Sequence, residues 1–230
     1  MQVRVDLHNH SCLSPCADDG MLPSLLALQA MEMGIQILAL SDHNAAENLP
    51  AFAEACELCS IMPVFGIEVT TIEEVHLLVL FKRIEEAMAF SKEVQATLPK
   101  LRGKSSRFGR QIICDVAGNP IGESDVLLSG ASSLSFDEVV TDALASGALV
   151  IPAHIDRPAY SVLANLGFLP DLPYTAVEMV HPTAQAWTVV TASDAHFLEE
   201  VGKRSCLIEM EEIGWEALKK SLCDPCNVKF

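Results

Sequence analysis

The chain has little positive charge for its length. Its 230 residues include 15 lysine and arginine residues against 31 aspartate and glutamate residues, which gives a formal net charge of -16. Proteins that hold a long nucleic acid by its backbone need clustered lysine and arginine to neutralise the phosphates. We therefore expect no long nucleic-acid partner, and a small or short substrate is favoured.

The sequence also lacks the segments that take proteins into or across membranes. Half of its residues are apolar, yet no uninterrupted apolar run approaches the roughly 18 residues that span a bilayer. The first residues lack the apolar core of a signal peptide, and no lipidation motif occurs. We expect a cytoplasmic protein with no membrane partner, in which the eight cysteines are reduced thiols and not a disulfide framework.

Metal-ligand chemistry follows several apolar runs. Residues 6–10, 41–44 and 193–196 hold four of the seven histidines. His8 and His10 are two residues apart, and a strand projects alternate side chains onto one face, so both imidazoles can converge on one ion. A lone H-x-H pair is weak evidence of a site. Residues of metal-ligand type recur after three separate apolar runs, however, and this recurrence indicates a metal enzyme.

Apolar runs of strand length alternate with helix-like segments along the chain. This alternation is typical of βα units around a parallel sheet, whose chemistry gathers at the carboxyl ends of the strands. The predicted strands cover residues 3–7, 37–40, 62–67, 77–81, 148–151, 176–179 and 188–191, and the predicted helices cover residues 23–33, 45–59, 84–98 and 136–146. Six candidate ligands lie at strand ends, namely His8, His10, His43, Glu68, His154 and Asp194.

In this order the motifs resemble the PHP (polymerase and histidinol phosphatase) domain family. The resemblance covers nearly the whole chain and is carried by residues 6–10, 41–43, 66–68, 75–76, 153–154 and 193–196. It implies a distorted (β/α)7 TIM-like barrel, here a single domain over residues 1–230. It also implies two or three divalent metal ions as cofactors and a phosphoesterase activity.

The resemblance implies a pair of ions that share one bridging carboxylate, Glu68. The other ligands of the pair are His8, His10 and Asp194 for the first ion, and His76 and His154 for the second. His76 starts an apolar run and does not end one, and in a simple barrel that end of a strand faces away from the site. Its role therefore rests mainly on the resemblance.

A third ion is implied at His43 and His196. Many relatives place a further carboxylate or histidine about five residues after the H-x-H pair, where this chain has Pro15. The resemblance leaves that ligand to Asp18 or Asp19. Two cysteines, Cys12 and Cys16, lie in the same loop, and we interpret them as bystanders.

The ligand types point to the ions and to the reaction. Imidazole and carboxylate together suit Zn, Mn or Fe. Closely spaced ions can clamp an attacking hydroxide and a leaving oxygen. We expect Asp194, His196 and Glu68 to act as catalytic residues in hydrolysis of a phosphomonoester, a nucleotide or a short-oligonucleotide phosphate by a metal-bound hydroxide. The alternatives are a non-catalytic phosphate or nucleotide sensor that keeps the barrel, and a metal-dependent amidohydrolase.

The interval 99–135 is the exception to the βα pattern. We interpret it as a lid or insertion loop, and the alternative is a solvated loop whose charges balance the acidic surface. It holds five of the fifteen cationic residues: Lys100, Arg102, Lys104, Arg107 and Arg110.

Two arginines are our candidates for contacts with a substrate phosphate, because a guanidinium can grip two phosphate oxygens. They are Arg107 in this interval and Arg157, three residues after His154. A structural pair between Arg157 and an acidic neighbour is the alternative. We expect Asp42 and Asp156 to orient imidazoles by accepting their second N–H.

Overall fold

The computed structural model describes residues 1–101, 108–184 and 186–230. The strands in these ranges are β1 (Gln2–Asp6), β2 (Ile37–Leu40), β3 (Met62–Thr70), β4 (His76–Phe81), β5 (Ile112–Cys114), β6 (Pro120–Glu123), β7 (Leu149–Pro152), β8 (Val177–Glu178), β9 (Val189–Val190), β10 (Cys206–Glu209) and β11 (Val228–Lys229). The helices are α1 (Pro23–Glu32), α2 (Leu49–Leu58), α3 (Ile84–Gln95), α4 (Phe136–Ala145), α5 (Val162–Asn165) and α6 (Trp215–Leu222).

Seven strands form one curled sheet, a half-barrel, in the order β11-β10-β1-β2-β3-β4-β7. β1, β2 and β3 are parallel, as the βα pattern predicts. β4 is antiparallel to both β3 and β7, and β10 is antiparallel to β1. The sheet is therefore mixed, because the short turn at residues 71–75 joins β3 to β4 as a hairpin, and short connections join antiparallel strands.

Apolar side chains alternate between the two faces of the sheet. In β2, Leu38 and Leu40 pack with α1 to α4 on one face, which we call the helix-covered face. Ile37 and Ala39 pack into a second apolar cluster on the opposite face, together with Leu78 of β4. All four residues of β2 are buried. Burial on both faces, which the continuous apolar runs predict, leaves the polar chemistry to the strand ends.

The helix boundaries follow from local sequence. Pro23 occupies the first turn of α1, where a missing N–H costs nothing. Ser135 and Glu138 form a capping box at the start of α4. Gly34 and Gly147 follow α1 and α4 with φ of 73° and 81°, a conformation that favours glycine at helix ends. The predicted helix ends at residues 33 and 146 are confirmed to within one residue.

The described part of the 99–135 interval is folded. Its β5–β6 hairpin is fixed to the rest of the protein by Asn48. The Asn48 side chain donates to the carbonyl of Ile112 at 3.0 Å and accepts from the amide of Cys114 at 3.0 Å. Arg102, Lys104 and Arg107 lie outside the described residues, and the interpretation of this interval as a lid or insertion loop stays a prediction.

The described part of this interval packs against the loop of residues 11–20. At Gly109, whose φ is 93°, a Cβ atom would lie 1.9 Å from the carbonyl oxygen of Pro15. No side chain larger than hydrogen fits between these two backbones. The two segments therefore hold each other in place.

Within the described ranges, none of the helices has both the length and the apolar character that crossing a bilayer requires. The assignment of residues 1–230 to a single domain stays a prediction.

Candidate metal centre

The candidate ligands gather at one end of the sheet, where β1, β2, β3 and β7 finish and β4 begins. Backbone hydrogen bonds continue the strand pairing into this region. The amide of His10 donates to the carbonyl of Ala195 at 3.1 Å, and the amide of Asn44 donates to that of Glu68 at 2.9 Å. The ligand-bearing segments thus belong to a hydrogen-bonded frame.

His76 lies at this end because β4 runs antiparallel. It is the first residue of β4 and lies opposite Thr70, close to the end of β3. The argument that the start of a strand faces away from the site holds for a parallel strand, and β4 is not one. The structure therefore places His76 beside the other candidates.

Glu68 lies at the middle of the cluster and is buried, with 1% of its surface exposed. Nitrogen atoms of five imidazoles lie within 3.4 Å of its carboxylate oxygens: His43 Nδ1 and His76 Nδ1 at 2.9 Å, His154 Nε2 at 3.2 Å, His8 Nε2 at 3.3 Å and His10 Nε2 at 3.4 Å. A carboxylate with two oxygens can bridge two ions, and this position is suited to that role.

Three imidazoles have their Nδ1 atom engaged by a neighbour. His8 Nδ1 lies 2.9 Å from Glu178 Oε2, His10 Nδ1 lies 3.0 Å from Ser14 Oγ, and His196 Nδ1 lies 2.9 Å from the carbonyl of Asp194. A proton on Nδ1 satisfies each contact. The Nε2 lone pair of each ring is then left for a metal ion, as is usual for metal-bound histidines.

Asp42 acts on His10 through Ser14. The hydroxyl of Ser14 donates to Asp42 Oδ1 at 2.7 Å and can accept from His10 Nδ1. Asp42 thus orients an imidazole indirectly. The carboxylate of Asp156 instead accepts the backbone amides of Val180 and His181, each at 2.8 Å.

Unsatisfied polar atoms show that the cluster fits metal ions. Among the residues that the structure describes, His43 Nδ1 and His76 Nδ1 are buried and lack a hydrogen-bond partner, although each lies 2.9 Å from an oxygen of Glu68. Glu68 Oε2 is in the same situation. Buried polar atoms without partners are costly. A divalent cation would satisfy these atoms, since it accepts lone pairs from several directions.

Three groups of side chains bring ligand atoms within 4.8 Å of one another in the described parts of the chain. The groups are His8, His10 and Asp194; His43, Glu68 and His76; and His10, His43 and His196. The first group matches the ligands implied for the first ion. In the second group His43 takes the place implied for His154, although His154 also lies 3.2 Å from Glu68.

The carboxylates and imidazoles set each other's charge. Burial would raise the pKa of Glu68, but the imidazoles of His76, His8 and His43 hold the pKa well below its usual value. Burial likewise opposes the charge of Asp194, and His8 holds the pKa of that carboxyl low. Both carboxylates are therefore ionised, which is the form that binds a metal.

The histidines divide into two kinds. Burial would lower the pKa of His8, but the carboxylates of Glu178, Asp194 and Glu68 outweigh burial and raise the pKa well above its usual value. The pKa of His10 is lowered well below its usual value by burial and by two neighbouring imidazoles. His10 offers a free lone pair, whereas His8 must release a proton before it binds an ion.

Three residues of the site have backbone conformations that are unusual for residues other than glycine. The φ angles of His154, Asp194 and Asn44 are 30°, 50° and 53°. Such angles cost roughly 1–3 kcal/mol each and cluster at functional sites. The surrounding hydrogen bonds hold these residues in place.

The structure keeps Asp18 and Asp19 at the surface, outside the three groups. Asp18 Oδ1 accepts a backbone amide at 2.8 Å, and Asp19 Oδ2 lies 3.4 Å from Arg110 Nη1. The role of either residue as a ligand stays a prediction. The atom next to His196 is instead the Sγ of Cys16, 3.1 Å from Nε2. Burial opposes the thiolate, but contacts with His196 and His43 lower the pKa of Cys16 to about 7.

A cavity of about 440 Å³ opens beside the cluster. Its lining includes Cys16, Arg157, Asp194, His196, Lys203 and Arg204. Arg157 Nη1 lies 2.7 Å from Asp194 Oδ2. Arg157 therefore pairs with an acidic residue that is itself a candidate ligand. Arg107, the other predicted phosphate contact, lies outside the described residues.

Sequence reasoning missed two residues that orient the imidazoles, Glu178 and Ser14. Glu178 ends β8 and so obeys the same rule as the ligands that were found, namely a polar residue at a strand end. Ser14 carries no comparable signal, because its loop has no periodic pattern.

Comparison with solved structures supports the fold. Endonuclease Q from Pyrococcus furiosus is 18% identical with a TM-score of 0.73, over 97% of this chain and 56% of that one. An endonuclease Q complex with a 27-mer duplex carrying an abasic lesion is 17% identical with a TM-score of 0.71, over 96% and 56%. This chain thus spans little more than half the length of these two proteins.

A further similar structure, from Bifidobacterium adolescentis, was assigned as a metal-dependent phosphoesterase. It is 17% identical with a TM-score of 0.62, over 95% of both chains. These likenesses show the TIM-like barrel fold that the resemblance implies. No curated protein sequence matches this chain. The model of the PHP domain matches residues 6–139, which is more than half of the sequence. The chain therefore belongs to the PHP domain family.

Proposed function

We propose that the protein is a metal-dependent phosphoesterase. Two or three divalent ions, Zn, Mn or Fe, are held by the cluster around Glu68, and the substrate is a small phosphate ester or the end of a short nucleic acid. The observation that carries the proposal is the position of Glu68, whose carboxylate lies within 3.4 Å of nitrogens from five imidazoles. A buried set of this size exceeds the ligand needs of one ion.

When bound, the ions activate water for attack on phosphorus and neutralise the charge of the phosphate oxygens. The chain contributes the ligand frame, in which we assign Glu68, Asp194 and His196 as catalytic residues. Arg157 lines the same cavity as His196, so a phosphate gripped by this guanidinium lies next to the ligands. Lys203, whose side chain is exposed, adds positive charge to the cavity.

The nearly complete ligand set supports an enzyme over a sensor. A degenerate sensor domain would be expected to lose histidine or aspartate ligands. The net charge of -16 supports a small or short substrate over a long duplex. We also propose that the chain is cytoplasmic, as its sequence predicts.

Two substitutions test the activity. His10→Ala and Asp194→Asn should abolish phosphate release while the circular dichroism spectrum is unchanged, because both groups lie at strand ends. His181→Ala and Asp142→Asn are matched controls, since both of these residues are exposed and lie outside the cluster. Near-wild-type turnover by a folded, metal-loaded His10→Ala or Asp194→Asn variant would contradict the proposal.

A substrate screen separates the alternatives. Metal-loaded protein is assayed with phosphomonoesters, nucleotides, cyclic nucleotides, short oligonucleotides and simple amides. A duplex with an abasic lesion is included because endonuclease Q was solved with one. Binding of phosphate compounds without any hydrolysis would support the non-catalytic sensor. Cleavage of amide substrates alone would indicate the amidohydrolase.

A further inference from the structure

The group of His10, His43 and His196 is one ligand short of a third ion. The Nδ1 atom of His10 is engaged by a serine hydroxyl, so this ring offers Nε2 alone. That atom lies 3.2 Å from His8 Nε2 and 3.3 Å from Asp194 Oδ1, within the first group. One lone pair binds one ion. The resemblance implies His154 and not His43 for the second ion, and His154 Nε2 lies 3.2 Å from Glu68 Oε1. If the first ion uses His10 and the second uses His154, then His43 and His196 are the ligands left in this group.

Two imidazoles do not make a stable site, because a catalytic zinc ion usually has three protein ligands. The carboxylates of Asp18 and Asp19 are exposed and engaged elsewhere. The thiol of Cys16 is nearer, on the same loop, with its Sγ 3.1 Å from His196 Nε2. It also contacts the His43 side chain.

The separation of these atoms fits shared coordination. With bonds of about 2.0 Å to nitrogen and 2.3 Å to sulfur, a tetrahedral ion holds the two ligand atoms about 3.5 Å apart. The observed 3.1 Å between Cys16 Sγ and His196 Nε2 needs only a small side-chain movement. A second observation is His43, whose side chain is 9% exposed and whose Nδ1 lies 2.9 Å from Glu68 Oε2 but makes no hydrogen bond among the described residues.

We infer that Cys16 binds the third ion as a thiolate, together with His43 and His196, in the place of the carboxylate that the family resemblance implies. The inference rests on the metal centre of the proposed function and not on its reaction. The thiol proton passes to solvent when the ion binds. A thiolate favours Zn²⁺, Co²⁺ or Fe²⁺ at this position over Mn²⁺ or Mg²⁺.

Cobalt is a spectroscopic probe for this ligand. Chelator-treated protein is titrated with Co²⁺, and both bound metal and near-ultraviolet absorption are recorded. The wild type should develop a sulfur-to-cobalt charge-transfer band. Cys16→Ser should lose the band and bind the last ion at least about 10-fold more weakly. Cys223→Ser, at another exposed cysteine, is the matched control and should keep the band.

A Cys16→Asp variant guards against an indirect effect. It restores a ligand without sulfur, so it should bind as much Co²⁺ as the wild type and show no charge-transfer band. Mass-spectrometric mapping of alkylated thiols gives a second readout. Saturating Zn²⁺ should slow modification of Cys16 at least about tenfold, while Cys223 and Cys226, both exposed, react as before.

The outcomes distinguish this inference from the proposed function. If Cys16→Ser keeps the band and the affinity, or if Zn²⁺ does not protect Cys16, the inference is overturned while the metal centre stands. If the wild type binds no Co²⁺ and no Zn²⁺, the metal centre and the inference fail together.

Discussion

Replacement of Glu68 by glutamine tests how much one carboxylate contributes to the metal centre. The side chain keeps its size and loses its charge. At 3.3 Å, the distance between its Oε1 and His8 Nε2, a unit positive charge is stabilised by about 5 kcal/mol with an effective dielectric constant of 20. A 100-fold loss of metal affinity corresponds to about 2.8 kcal/mol. The electrostatic stabilisation by the carboxylate is larger than the free energy of a 100-fold loss. We therefore expect Glu68→Gln to weaken metal binding at least about 100-fold.

The loss is visible as a change in metal-dependent stability. An ion present at 100 times its dissociation constant stabilises the wild type by about 2.7 kcal/mol, and the same concentration stabilises a 100-fold weaker variant by about 0.4 kcal/mol. At 2–4 °C per kcal/mol for a chain of this size, the metal-induced rise in Tm should shrink by about 5–9 °C. Differential scanning calorimetry with and without Zn²⁺ measures this difference.

Two further glutamine variants calibrate the result. Glu216→Gln changes an exposed surface pair with Lys82 and should leave the metal-induced rise unchanged. Glu178→Gln alters the acceptor that orients His8, so an intermediate effect of about 10-fold to 100-fold in affinity is expected. If Glu68→Gln shows the same metal-induced rise in Tm as the wild type, Glu68 is not a ligand and the bridging role is refuted.

Three other predictions concern protons, packing and substrate. Neighbouring carboxylates raise the pKa values of His8 and His43, so both imidazoles carry a second ring proton near neutral pH. Metal binding should therefore release at least about one proton and weaken as the pH falls. Titration calorimetry in two buffers of different ionisation enthalpy checks this, and the same measured binding enthalpy in both buffers would contradict it. Gly109→Ala should lower stability by at least about 2 kcal/mol, or Tm by about 4–8 °C, through its contact with Pro15; an unchanged melting curve contradicts this. Arg157→Ala should raise KM for a phosphomonoester at both about 0.01 M and 0.15 M salt, because salt screens a direct contact only weakly. An unchanged KM would show that Arg157 does not bind the substrate phosphate.

The sequence predicts most of the fold because burial leaves a strong pattern. The continuous apolar run of β2 predicts burial on both faces, and all four of its residues are buried. The direction of β4 leaves no such pattern, since a strand has the same apolar run in either direction. Recognising that the turn at 71–75 is too short for a crossover would have predicted a hairpin and the placement of His76.

The candidate site divides in the same way. His8 and His10 are predicted to converge by the period of a strand, and their Nε2 atoms lie 3.2 Å apart. Glu178, which was not predicted, and Cys16, which was interpreted as a bystander, act through tertiary contacts. Glu178 reaches His8 across 170 positions of sequence, and Cys16 reaches His196 across 180. Long-range pairs of this kind have no local spacing from which they could be predicted.

The β3–β4 hairpin makes the metal centre sensitive to loop length. Directly opposed residues in an antiparallel pair share a face, and Thr70 opposes His76 while Glu68 opposes Leu78. Glu68 and His76 therefore point to the same side, away from the helix-covered face. Removal of one residue from the turn at 71–75 would shift the pairing and turn His76 toward the helices. Such a deletion would dismantle the centre while every ligand remained in the sequence.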